Sequence, residues 1–163
     1  MKKIGLALIV TISMVQFSMA QEYKVALGVK GGYPVVGSFD VKYFFAGLNA
    51  VEARIGGSPN EVYIQGLYER NFVIGHGFEW YFGLGGHVGF WTYRPGQLGY
   101  YYDGDYYDSG AYTGFDALGG CEYTFEKFPL NLSADLGPVF DVAPYVRVGF
   151  GGNIAARFAI GRN

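Results

Sequence analysis

The densest set of chemically capable side chains is "GYYYDGDYYDSGAYTG", from Gly99 to Gly114. It holds Tyr100, Tyr101, Tyr102, Tyr106, Tyr107 and Tyr112 beside Asp103, Asp105 and Asp108. Three close carboxylates are hard oxygen ligands of the kind calcium takes. The spacing lacks the Gly and the later Glu of an EF-hand loop. Asp103 with Gly104 reads more simply as a turn. Tyrosine among Gly and Ser suits an adaptable binding loop. It equally suits an aromatic belt where a membrane meets water, and that is the plainest reading.

A hydrolytic set can be drawn by residue type alone, with His87 as base, Ser133 as nucleophile and Asp135 as orienting group. Nothing in the sequence brings Ser133 and Asp135 to His87. A histidine hydrogen-bonded within a polar interior is the simpler reading of His87, and His76 reads as a solvated turn residue. Cys121 is the single cysteine, so the chain forms no internal disulfide. The pieces "GLGG" and "GFGG" precede no helix and lack the Gly-Lys-Ser/Thr ending of a phosphate loop. The expectation is therefore no catalytic set, no metal site and no cofactor.

What elements would hold these groups? The chain has 27 glycines and 19% aromatic residues, a mixture that disfavours helices and favours strands. In "FEWYFGLGGHVGFW", Phe78, Trp80, Phe82, Leu84, Val88 and Phe90 share one parity, and Glu79, Tyr81, His87 and three glycines share the other. Such period-2 alternation marks a strand. It recurs in "KVALGVKGG", "SFDVKYFF", "AVEARIGG", "GFDALGGCEYTFE", "PLNLSADLG" and "YVRVGFGGNIAARFAIG", and less cleanly in "EVYIQGLYERNF". The result is eight strand candidates. The polar parity carries Lys24, Lys30, Asp40, Lys42, Glu52, Arg54, Glu79, His87, Asp116, Glu122, Asp135, Arg147 and Arg157.

A soluble sandwich also alternates, with its apolar face inward. Its strands usually run about 5–6 residues, shorter than most of these. Transmembrane strands need about 9–11. Turning the pattern inside out places aromatic and aliphatic residues toward lipid, and charges with glycines in a narrow lumen. The joins "AGLN", "VIGHG" and "EKFP" are short, and the longest join spans residues 93–110. Short turns on one side and longer loops on the other fit such a barrel. Prolines fall in joins or at strand starts, except Pro138, which must sit near the outer end of its strand.

The N-terminus "MKKIGLALIVTISMVQFSMA" has two lysines, an apolar run and the small residues Ser18 and Ala20 before Gln21. That is the pattern of a cleaved secretory signal peptide. Residues 1–20 are read as the signal and 21–163 as the barrel domain. The formal net charge is −2, and no basic patch points to nucleic acid.

With the strands placed, the chain resembles the small eight-stranded outer-membrane β-barrels of the OmpA and OmpX type, and more closely the short outer-membrane barrels of Bacteroidetes. "YKVALGVKGGYP", "DVKYFF", "QGLYERNF", "WYFGLGGHVGFW", "GFDALGGCEYTF" and "PLNLSADLGPVF" carry the resemblance. The chain departs from the pattern in ending "RFAIGRN", with Phe158 short of the terminus. The resemblance implies an all-β, eight-stranded antiparallel up-and-down transmembrane barrel in the outer membrane of a Gram-negative bacterium. The expected role is structural or surface-interacting, without enzymatic activity. The expected protein is a monomer in contact with outer-membrane lipid and, through its loops, with an extracellular or host-surface ligand. A narrow channel for ions or small solutes and a lipid-modifying enzyme remain the alternatives.

Overall fold

A computed structural model describes residues 23–92 and 109–161. The alternating segments form eight strands: β1 (Val25–Tyr33), β2 (Gly37–Ala46), β3 (Asn49–Ser58), β4 (Glu61–Gly75), β5 (Phe78–Thr92), β6 (Ser109–Thr124), β7 (Leu130–Ala143) and β8 (Arg147–Ile160). Each pairs antiparallel with its sequence neighbour, and β1 pairs with β8, so the sheet closes as a barrel. The closing seam runs from Val25 opposite Ile160 to Tyr33 opposite Gly152. Closure leaves no strand edge unpaired. The signal segment and Tyr100 to Asp108 lie outside the described residues.

The end of the barrel that carries Tyr23 and Gly161 is called the inner end. Its hairpins are tight because the backbone can turn left-handed there: Gly47 has φ 52°, His76 φ 53° and Gly77 φ 81°. Two-residue hairpin turns demand such values. His76 is exposed in its turn. At the outer end the expected set of longer loops is largely absent. β3 and β4 are joined by residues 59–60 alone, β1 and β2 by 34–36, and β7 and β8 by 144–146. Only residues 93–108 make a long join, because β6 starts at Ser109 and takes two of the residues read as loop.

The burial pattern is the reverse of a water-soluble core. On β2, Phe39 is 74% exposed while Lys42 is 0% exposed. The same alternation holds around the wall: aliphatic and aromatic side chains point out, and polar and charged ones are buried in the lumen. β4 follows the rule that its sequence left unclear, with Gln65, Leu67 and Glu69 inward and Ile64 and Tyr68 outward. The one buried apolar cluster among the described residues is small: Tyr23, Ala26, Phe44, Ala50 and Ala159 gather at the inner end. Tyr23 meets Phe44 edge-on at 5.1 Å. Pro138 lies within β7 rather than near its tip, facing out opposite Phe150 of β8. Its missing N–H faces a stretch of β6 where no ladder pairs form beside Gly137 and Pro138.

Candidate functional site

The lumen holds the chemistry. Three cations organise its inner half. Lys30 Nζ lies 2.5 Å from Glu52 and 2.7 Å from Asp135. Lys42 Nζ lies 2.7 Å from Glu122 and 2.9 Å from Glu69, donates to Asn71 at 2.8 Å, and sits 4.4 Å from the centre of the Tyr81 ring. Arg157 reaches across from β8, pairing its Nε with Asp40 of β2 and its Nη2 with Glu52 of β3 at 2.5 Å. Its Nη1 donates to Ser133 of β7 at 2.9 Å. Tyr23 caps the group by donating to Glu122 at 2.9 Å. All three cations are essentially fully buried. A buried charge is tolerated only when paired and hydrogen-bonded, and these are.

The outer half is built differently. Both ring nitrogens of His87 face carboxylates: Nδ1 is 3.0 Å from Asp116 and Nε2 is 2.9 Å from Asp141. Arg147 extends the chain, its Nε donating to Asp141 at 2.8 Å. Gln65 donates to Asp116 at 2.7 Å, and the Tyr63 ring stacks on His87 at 5.3 Å. Arg54 links the halves. Its guanidinium lies 5.1 Å from the centre of the Tyr63 ring, and its Nη1 donates to Asn153, which donates to Asp135. A cavity of about 20 Å³ sits at this junction, lined by Arg54, Gln65, Asp116, Leu118, Asp135 and Asn153 among others. It has room for one water-sized molecule. Arg54 and Gln65 both line it, and Arg54 Nε and Gln65 Oε1 have no hydrogen-bond partner among the described residues.

Most of the charged residues named from the sequence meet here. Lys30, Asp40, Lys42, Glu52, Arg54, Glu79, His87, Asp116, Glu122, Asp135 and Arg157 are all buried inside. Two are placed elsewhere. Lys24 precedes β1 and is exposed at the inner end, because the strand starts one residue later. Arg147 is the first residue of β8, and its side chain is 69% exposed at the outer mouth while it pairs with Asp141. Tyr112 also corrects its expected place. It points inward on β6 over Gly89 and donates to Glu61, rather than joining an outward belt. The hydrolytic trio does not assemble: Ser133 accepts from Arg157, Asp135 serves Lys30, Tyr81 and Asn153, and His87 is held by Asp116 and Asp141. Among the described residues, no three acidic, His or Cys side chains group as metal ligands.

The sequence reading left out Asp141 and Asn71, which are buried in the lumen with Glu69 and Asn153. Parity would have placed each of them there. It also passed over the tyrosines at 23, 63 and 81 as interior hydrogen-bonding groups.

No family model matches this chain, and no curated protein does.

Proposed function

We propose that this chain is an integral outer-membrane β-barrel, similar to the small OmpA and OmpX type and to the short barrels of Bacteroidetes. In this reading it is exported by a cleaved signal peptide and held as a monomer in lipid. The observation that carries it is the inversion of polarity across the wall. Phe39, Leu84, Phe115, Ile154 and Phe158 are each more than half exposed on the outside, while the charges lie within. Such a surface in water would be an aggregation hazard; in a bilayer it is the solvated state.

The ion-paired lumen then serves as a lock, and the role falls to the outer surface, above all to residues 93–108. An extracellular or host-surface ligand would be met there. Eight strands enclose a space that side chains can fill, and Arg157 spans it from β8 to β2 and β3. That arrangement supports a closed barrel over a narrow channel. No hydrogen-bonded nucleophile accompanies His87 among the described residues, which leaves the lipid-modifying reading without support of its own.

The deciding experiment is gel mobility of the protein from outer-membrane fractions, boiled and unboiled. A heat-dependent shift in that fraction is expected. A soluble protein with no shift would sink the membrane reading. For the surface role, deletion of residues 99–108 should abolish ligand capture while preserving the shift. The cut stops there because Ser109 and Gly110 pair with Thr92 and Trp91 in the wall. Capture that survives the deletion would place the site elsewhere.

A further inference from the structure

One side chain breaks the apolar coat. Along the outward-facing positions of all eight strands, the described residues include a single charged group, Arg70 on β4. Its neighbours on the same strand point the same way: the hydroxyl of Tyr68 donates to Asn49 at 2.7 Å, and the Phe72 ring centre lies 5.9 Å from the guanidinium. Arg70 Nη1 donates to Asn49 Oδ1 at 2.9 Å. A guanidinium has five N–H donors, and no carboxylate forms an ion pair with Arg70 among the described residues. Every buried cation in the lumen except Arg54 has such a partner.

The place of Arg70 in the wall gives the missing partner. It stands opposite Asn49, the first residue of β3 after the inner hairpin turn. Asn71 N donates to Leu48 O of that turn at 2.8 Å, and Asn49 Nδ2 donates to Ala46 O at 2.8 Å. The wall of β2 and β3 therefore ends beside Arg70, a level that the membrane reading makes the boundary between hydrocarbon and headgroups. Phe45 tilts toward Tyr68 at 6.3 Å, and Phe72 stacks on Trp80 at 4.8 Å, so aromatic rings flank the position. Aromatic side chains and long cations of this kind mark the interface level.

We infer that Arg70, with Asn49 beside it, binds the phosphate of a phospholipid in the leaflet at the inner end. The guanidinium fork matches two phosphate oxygens. Asn49 fixes one arm of the fork. This rests on the membrane reading above and names one lipid contact within it.

The test uses the full folded protein in maltoside micelles, which contain no phosphate. It is titrated with short-chain phosphatidylglycerol, with the matching diacylglycerol, or with inorganic phosphate. Native mass spectrometry counts retained lipid, and heat-dependent mobility confirms the barrel in each variant. Saturable retention of phosphatidylglycerol is expected, weakened about tenfold in Arg70→Gln and by a smaller factor in Arg70→Lys, which keeps the charge but loses the two-pronged fork. Diacylglycerol should show no dependence on residue 70. Equal retention by wild type and Arg70→Gln would overturn the inference. So would complete competition by millimolar inorganic phosphate, which would make this a free-anion site. Because heat-dependent mobility is read before any lipid is added, failure of the membrane reading itself would show separately.

Discussion

The two halves of the lumen solve the same problem with different margins. In the inner half, Lys30, Lys42 and Arg157 are each held by at least two carboxylates, and the apolar cluster of Tyr23 and Phe44 closes the space beneath. In the outer half, one imidazole stands between two aspartates, Arg54 is held by an amide and a ring, and a small cavity remains. The inner half has no slack to lose a partner. The outer half can rearrange around its cavity. Charge pairing is thus denser toward the inner end, and the cavity lies on the side of the outer mouth.

The largest effect expected from breaking this contrast is Arg157→Ala. It strands Asp40, which has no other ion-pair partner among the described residues, and leaves Glu52 to Lys30 alone; removing one partner of a buried pair costs about 3–5 kcal/mol. Urea unfolding in lipid vesicles should show the loss. A change under 1 kcal/mol would mean that the inner network is not what locks the wall. Replacing Arg157, Asp40 and Glu52 together by apolar residues of similar size should restore much of it, because a matched hydrophobic set often equals a buried ion cluster.

His87→Leu should be milder, about 1–3 kcal/mol, the range for leaving buried acceptors unmatched. Arg147 and Gln65 still serve Asp141 and Asp116 in that variant. A loss equal to that of Arg157→Ala would erase the distinction between the halves.

Conductance sharpens the same comparison. Glu122→Ala opens space beside Lys42 in the inner half and should raise single-channel current in planar bilayers above the low current expected of the wild type. Arg147→Ala should leave it unchanged, since that side chain already stands mostly outside the lumen. A reversed order would place the barrier at the mouth.

The smallest effect belongs to one of two contrasted glycines. A Cβ on Gly66 would meet nothing within 4 Å, so Gly66→Ala should shift stability by less than about 0.5 kcal/mol. A Cβ on Gly28 would collide with the carbonyl of Ala156 and with Arg157 Cα on β8. Gly28→Ala should therefore loosen the closing seam, and comparing the two variants by unfolding separates glycines that the fold needs from those it tolerates.

The barrel was legible because alternation is local. Each strand shows its faces in its own residues, as Phe78 to Phe90 do, and no tertiary contact reassigns them. Parity alone could have sent Glu69 and Asp141 inward. Which cation each carboxylate meets was not legible. Glu52 finds both Lys30 and Arg157, 22 and 105 residues away, and that depends on how strands are staggered around a closed ring. Position along a strand was equally hidden. Lys24 and Arg147 have inward parity, yet they stand at the ends, where the lumen gives way to open space. The loop pattern misled for a related reason. Turn residues such as Pro59 and Asn60 mark a reversal without revealing that the strands run up to it on both sides.

The seam between β1 and β8 carries a temporal consequence. The final strand must find the first across nearly the whole sequence, and only then do Asp40, Glu52 and Ser133 receive Arg157. A nascent chain halted before that strand would carry two open ladders and three unanswered polar groups. It would be sticky to other chains and poorly suited to a bilayer core. Completion is therefore cooperative by construction. Arg157, carried on the last strand, reaches β2, β3 and β7 only in a completed ring, and a chain cut short keeps its edges open.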